Sequence, residues 1–408
     1  LMKLQAKDVD FVRIGNIASV HQNIRPFVLE SKIKNISKCA GKVHATEHIL
    51  KSTNLIGATC LSCSSALMQK LNFDVCIVDE ASQMSEPVCL IPLYLAKKFV
   101  LVGDHNQLTA LVKNRIAKKK GMAKSLFKRL SSLHPCACAS LTFQYRMNKD
   151  IMYISNSLVY GGNLKCASEA VGSRKLQIDR SVLDDLTIMP PPRTDGDHVP
   201  GSAPLLHWLR DIVDPAKAVV FLNTDSIAKG PLESRTVPKS FAIKHAFAPD
   251  SDVLKGSLVN HVEASLVDTC VNGLLRCNVA ATDIGVICPY RSQLSVLRSN
   301  RYLGGHGERL EIQTVDKYQG RDKPCIVISL VRSNTLSNVG KLLKDFRRIN
   351  VAFTRAMCKL IIVGSLNTLR GSKEKNLQEL VRLIEVRKWN YELPQKAHLF
   401  YCHYKAQN

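Results

Sequence analysis

Apolar and polar positions along the chain fall into two alternating registers. Short unbroken apolar runs closed by turn residues predict buried strands. Val75-Cys76-Ile77-Val78 ends in Asp79-Glu80-Ala81-Ser82-Gln83, and Phe99-Val100-Leu101-Val102 ends in Gly103-Asp104-His105-Asn106-Gln107-Leu108. Between them, Cys89-Leu90-Ile91-Pro92-Leu93 predicts a covering helix or its start, and Ser125-Leu126-Phe127-Lys128-Arg129-Leu130 predicts an amphipathic helix. Further strands are expected at Ala218–Leu222, Ile284–Ile287, Ile326–Leu330 and Leu360–Val363, with a helix from Val262 to Leu275 among them. Strands alternating with helices imply an α/β fold with doubly wound parallel sheets and ligands at the strands' carboxyl ends.

The same pattern predicts the domain limits. Residues 1–140 read as the later part of a first α/β domain, incomplete at its N-terminus, and residues 141–372 as a second. Within the second, Met189-Pro190-Pro191-Pro192-Arg193-Thr194-Asp195-Gly196 bars helix and central strand, so an exposed connection is expected near 186–204. Residues 373–408 read as a C-terminal helix (Leu377, Leu380, Val381, Leu383, Ile384) and a polar tail.

Composition narrows the class. At 408 residues, 45% hydrophobic and 22% charged, the chain has room for two or three globular cores. Its 57 Lys+Arg against 34 Asp+Glu leave a net charge of +23, a surplus suited to neutralising phosphate backbones. The basic residues gather at Lys118-Lys119-Lys120, Lys124 and Lys128-Arg129, and again at Lys341, Lys344 and Arg347-Arg348, beside the polar motifs. This favours a nucleic-acid partner over a merely solvated surface. The 14 cysteines lack paired zinc spacing, and several lie in strand-like runs (Cys76, Cys288, Cys325), so structural thiols in a reducing compartment are expected. No stretch of about 18 apolar residues occurs, and no membrane partner is expected.

The polar closures carry chemistry. Asp79 offers a hard oxygen to Mg²⁺, through the ion's retained waters, and Glu80 can orient or deprotonate an attacking water. Gly103 permits a tight turn after the next strand, and Gln107 can sense a γ-phosphate or its attacking water. Arg146, in Gln144-Tyr145-Arg146-Met147, and Arg355, in Asn350-Val351-Ala352-Phe353-Thr354-Arg355-Ala356, are candidate arginine fingers, and both follow the first domain, which suggests a cleft completed by the second. Tyr145 can stack on adenine or pack in an interface. Thr59, Pro289-Tyr290 and Thr314 sit at strand ends where hydroxyls and amides suit single-strand phosphates, as do Lys118, Lys119 and Lys120. No G-x-x-x-x-G-K-[ST] phosphate loop is present: Gly41-Lys42 is followed by Val43. The chain is therefore expected to be the later part of an ATP-driven motor whose phosphate cradle lies upstream of Leu1.

In this order the blocks resemble the motifs of superfamily 1 helicases of the 5′-to-3′ subgroup, and within it the eukaryotic helicase/nucleases of DNA replication. Asp79–Gln83 is similar to the Walker B motif, Gly103–Leu108 to motif III, Gln144–Met147 to the following arginine motif, Val315–Gly320 to motif V and Arg348–Ala356 to motif VI. The resemblance implies two tandem RecA-like domains, ATP and Mg²⁺ as cofactors, and nucleotide contacts from Asp79, Gly103, Asp104, Tyr145, Gly320 and Asp322. It implies single-stranded and flap DNA as substrate, single-strand-binding protein and replication and repair factors as partners, and action in the nucleus, with the mitochondrion as a second compartment. It also implies an upstream nuclease domain with a 4Fe-4S cluster. Two departures stand out: Leu108 leads into Thr109-Ala110 where motif III continues into proline, and Asp322 stands where most relatives place Glu. Two rivals share the motifs: an RNA-surveillance helicase of the same subgroup, and a nucleic-acid-binding remnant that does not hydrolyse ATP.

Overall fold

A computed structural model describes residues 2–36, 41–185, 203–227, 232–236, 257–299, 310–395 and 397–399. It divides into two compact units, Leu1–Cys138 and Ala139–Asn408.

The first unit is built on two separate parallel ladders. Strand β1 (Val12–Ile14) pairs with β2 (Ile56–Ala58), and β3 (Phe73–Val78) pairs with β4 (Ala96–Leu101). Val12, Ile14, Leu29, Ile49, Leu50 and Met68 form the core beneath the first ladder. Around the second, Val78, Ala81, Cys89 and Leu126 are buried together, with Cys76 and Leu101 packed against them. The predicted covering helix is Glu86–Leu93, and the amphipathic one is Leu126–Leu133, whose start Ser125 caps by accepting from Lys128 N at 3.2 Å. The other face of the β3–β4 ladder is largely open to solvent. Val75, Ile77 and Val100, which the register places on that face, are 51%, 69% and 49% exposed.

The second unit carries one parallel six-stranded sheet. Two short strands, β5 (Phe143–Gln144) and β6 (Lys165–Cys166), precede it as a pair of their own. Then come β7 (Val219–Asn223), an antiparallel pair β8 (Ser234–Thr236) and β9 (Ser257–Val259), β10 (Ile284–Cys288), β11 (Glu311–Thr314), β12 (Lys323–Ser329), β13 (Ala356–Gly364) and β14 (Asn390–Glu392). The sheet order is β11-β10-β12-β13-β7-β14. Strands β7 and β10 are buried along their whole length, as the Val- and Ile-rich runs require of a sheet covered on both faces. Helices Ala203–Val213 and His261–Arg276 cover one face through Leu209, Ile212, Val271 and Leu274, and Gly273 makes room for the Leu209 side chain. Helices Lys149–Leu158 and Phe346–Phe353 pack together beside β13.

One expectation needs correcting, and another falls outside the described residues. The tail is not wholly polar coil: Asn390–Glu392 pairs with β7 at the sheet's edge. Three residues with a single apolar side chain, Tyr391, give too short a pattern to register as a strand. The expected connection near 186–204 lies outside the described residues up to 202, and helix Ala203–Val213 has begun by its end.

One buried charge makes stability depend on pH. Lys359, in β13, has no exposed surface, and its Nζ donates to the carbonyls of Asp214 (2.9 Å) and Lys217 (2.7 Å), just past the end of helix Ala203–Val213. Burial lowers its pKa to about 8. Between that value and the ordinary lysine range the unfolded chain holds the extra proton at this site, so the contribution of Lys359 to stability rises as pH increases through this window. Chemical denaturation of the wild type and Lys359→Met side by side from pH 8 to pH 10 isolates this term: the wild type should gain on the variant as pH rises, by up to a few kcal/mol.

Candidate functional site

In the first unit, Asp79 and Glu80 follow the carboxyl end of β3 and Gly103, Asp104 and Gln107 that of β4, and the two exits are tied at Ser82. Ala81 N donates to Val102 O at 2.8 Å, which joins the two strand exits. Ser82, 2% exposed, accepts from Asp104 N through its Oγ at 3.2 Å. A Cβ on Gly103 would lie 2.9 Å from Ser82 N, a backbone atom that cannot yield, so glycine is required there. Asp104 then organises its own turn: its carboxylate accepts from Asn106 N (2.9 Å) and Gln107 Nε2 (3.0 Å).

Glu80 adopts a left-handed conformation, φ 53° and ψ 34°, which costs a non-glycine residue about 1 kcal/mol or more. Local bonds hold it there: Glu80 N donates to Asp79 Oδ1 at 3.0 Å, and Gln83 Nε2 to Glu80 Oε2 at 2.6 Å. Both carboxylates face solvent. Hard, exposed oxygens of this kind fit a magnesium ion held through water, with Asp79 as holder. Thr59 is exposed and caps the turn Cys60–Ser64, accepting from Ser62 N at 3.3 Å. Lys118, Lys119 and Lys120 are exposed at the end of a short helix, Arg115–Lys119, and just past it. Burial pushes the nearby Cys63 and Cys89 thiols up to about 11, which keeps them protonated and inert.

In the second unit the candidate residues fall at opposite edges of the sheet. At the amino ends of β12 and β13, Arg146, Asp322 and Arg355 converge on Thr354. Arg146 Nε donates to Asp322 Oδ2 at 2.8 Å, and its Nη1 to Thr354 O at 3.3 Å. Arg355 Nη2 donates to Thr354 Oγ1 at 3.1 Å. The Gln144 side chain shapes the turn before Arg146, accepting from Arg146 N and Met147 N at 2.9 and 2.7 Å, and Tyr145 is left 74% exposed. Gly320, at φ 79°, supplies the turn into Asp322. Arg355 does not project as a finger: it is 2% exposed, and it also donates to Val351 O (2.9 Å) and Arg321 O (3.3 Å). Asp322 is engaged by Arg146 rather than standing alone.

At the carboxyl edge lie Pro289, Tyr290 and Thr314. Pro289 and Tyr290 are half-buried and Thr314 is 9% exposed. Beside them is a segment the sequence reading passed over, Val331-Arg332-Ser333-Asn334 after β12. Arg332 forms an ion pair with Glu233 at 3.1 Å, and Glu233 also accepts from Ser333 N at 2.9 Å. The signal was available in the abrupt change from a buried apolar strand to Arg-Ser-Asn at a carboxyl end. Ser82, inside the pentapeptide after β3, carries no comparable mark in the sequence.

Two family models, each described as an AAA domain, match residues 122–367 and 40–115. The first alone spans more than half of the chain. The chain belongs to the AAA domain family. It is similar to the DNA replication ATP-dependent helicase/nucleases of Schizosaccharomyces pombe, 39% identical over 96% of this chain and 25% of that protein, and of Xenopus laevis, 38% identical over 98% and 34%. The Homo sapiens protein of the same description is 37% identical over 99% of this chain and 35% of its own length. The chain thus spans a quarter to about a third of the relatives it matches. Crystallised arterivirus nonstructural protein 10, a helicase, aligns over 92% of this chain and 62% of its own at 13% identity, with a TM-score of 0.32, too slight a likeness to carry weight. No helix among the described residues is long and apolar enough to cross a membrane.

Proposed function

We propose that this chain is the motor portion of an ATP-dependent 5′-to-3′ DNA helicase/nuclease that turns ATP hydrolysis into travel along single-stranded DNA in replication and repair. Likeness to replication helicase/nucleases at 37–39% identity along nearly the whole chain is the observation that carries the reading. Asp79 holds the nucleotide's magnesium, whose charge would offset that of the phosphates. Glu80 orients and deprotonates the attacking water, and Gln107 reports on the γ-phosphate from its Asp104-braced turn. Arg146 meets charge that grows on the phosphoryl oxygens, with Gly320 and Asp322 shaping the turn beside it, and Arg355 would join it only on leaving the carbonyls that hold it. Tyr145 offers an exposed ring for the adenine. Thr59, Pro289, Tyr290, Thr314 and Lys118–Lys120 serve the single strand. The setting is the nucleus, with flap DNA and single-strand-binding protein as partners, and the 4Fe-4S cluster belongs to an upstream nuclease part.

No phosphate-loop motif lies within these 408 residues, and the exposed apolar face of Val75, Ile77 and Val100 is what a further strand or helix carrying such a cradle would cover. The 408 residues by themselves should therefore bind single strands but show no ATPase. A longer chain with the phosphate loop should hydrolyse ATP and be stimulated by single-stranded DNA. Turnover by the 408-residue chain would mean a phosphate site elsewhere. No stimulated turnover from the longer chain would favour the non-hydrolysing remnant, a reading that the missing phosphate-loop motif itself supports.

If the exposed run Lys118–Lys120 touches DNA, replacing all three with Ala should weaken oligothymidylate binding and flatten its salt dependence. At about 0.7 in log–log slope per single-strand phosphate contact, losing three should lower the slope by about 2. An unchanged slope would remove these lysines from the interface.

A further inference from the structure

The carboxyl ends of β10 and β12 adjoin where the sheet's connections part. After β10 the chain runs outward to β11, and after β12 it runs the other way to β13. Open parallel sheets take their ligands at such a point. Beneath it lies a carboxylate that no role assigned above uses. Glu263, in the first turn of helix His261–Arg276, has no exposed surface. Its Oε2 accepts from Val331 N at 2.8 Å and from Ser329 Oγ at 2.7 Å, and its Oε1 from Asn260 Nδ2 at 3.2 Å. Asn260 in turn donates its backbone N–H to Gln293 Oε1 at 2.9 Å, while Gln293 Nε2 donates to Asn260 O (2.9 Å) and Ser329 Oγ (3.3 Å). Four buried polar side chains thus tie together the start of one helix, the first turn of helix Arg291–Ser299 just after Tyr290, and the end of β12.

What the network holds is strained. Val331 sits at φ 70°, a left-handed conformation that a β-branched residue rarely adopts, and its amide is fixed by Glu263. The segment it opens runs beside Tyr290. A Cβ on Gly340 would come within 2.9 Å of Tyr290 Oη and 3.6 Å of Arg332 Nη1, so the phenol and the guanidinium share one small space. A core that needed packing alone would be served better by an apolar residue, because burying a carboxylate costs much of what its bonds return. Here burial raises the Glu263 pKa to about 8, even with three donors aimed at it.

We infer that Glu263 is a positioning residue that locks the Tyr290–Gln293 turn and the Val331–Asn334 segment into one surface for single-strand contact. The inference rests on the nucleic-acid reading above. Glu263→Gln keeps the volume and one acceptor but turns an amide nitrogen toward Asn260 or Val331, and Glu263→Met removes every acceptor. Amide hydrogen exchange on the 408-residue chain, without DNA, should rise in segments 289–293 and 331–334 together, by about tenfold or more in Glu263→Gln, while β13 keeps its protection. Affinity for oligothymidylate should fall with it. Tyr290→Ala should then cost less in the Glu263→Gln background than in the wild type, while replacing Lys118–Lys120 stays additive.

Exchange that rises evenly across the unit would make Glu263 an ordinary core residue, and exchange that rises in one segment or neither would end the inference. If both segments loosen as expected but the wild-type chain does not bind the oligonucleotide, the nucleic-acid reading is what fails. Additive losses from Glu263→Gln and Tyr290→Ala would overturn the link to single-strand contact.

Discussion

Glu80→Gln, made in a chain that carries an upstream phosphate loop, should lower DNA-stimulated ATP hydrolysis by about 10²- to 10⁴-fold while ATP binding stays near normal. The amide preserves the shape of the side chain and its contact with Gln83, which lies 2.6 Å from Glu80 Oε2. It loses only the capacity to take a proton from water. Asp79→Ala should be as damaging to turnover but by another route, through weaker magnesium binding, so that more magnesium is needed for any residual activity. A Glu80→Gly variant adds a test that separates chemistry from folding. Its left-handed backbone suits glycine, so this chain should melt no lower than the wild type and yet fail to turn over. Steady-state ATPase, nucleotide affinity and thermal melting of the three variants check this. Near-normal turnover by Glu80→Gln would remove the catalytic assignment.

The sequence pattern made the strand exits legible because each coupled a buried apolar run to a sharply polar closure. That coupling predicts β3, β4, β7, β10, β12 and β13, and it places Asp79 and Gly103 at carboxyl ends. It could not say that Ser82 joins those two ends, since a serine inside a motif looks like any turn residue. Nor could it say that Arg355 would be spent on carbonyls: an arginine before a buried strand reads the same whether its guanidinium points outward or along its own helix. Strand β14 was obscured by brevity, and Glu263 by its setting. Its Asn260-x-x-Glu263 spacing reads as an ordinary helix cap, and only the fold brings Val331, from far along the chain, onto its second oxygen.

Arg146→Ala in the longer chain should cut turnover by about 10³-fold, the lower end of the range for arginine fingers, and leave single-strand affinity at fixed salt unchanged. Of the two arginines it is the cleaner probe. Arg146 is 38% exposed and engages Asp322 and one carbonyl, so removing it disturbs little of the fold. Arg355 is 2% exposed, so Arg355→Ala removes buried packing along with its bonds to Val351 O and Arg321 O, and its turnover has to be read against its melting temperature. Arg146→Lys should rescue poorly, because an ammonium cannot serve Asp322 and a phosphoryl oxygen with one planar fork. Asp322→Asn distinguishes two uses of that carboxylate. If Asp322 parks the guanidinium, the amide should leave turnover equal or higher with ATP affinity unchanged. If it binds the ribose, ATP affinity should fall first. Should Arg146→Ala instead weaken single-strand binding and spare hydrolysis, Arg146 is a backbone contact, and charge on the phosphoryl group must be met by Arg355 after it leaves the carbonyls that now hold it.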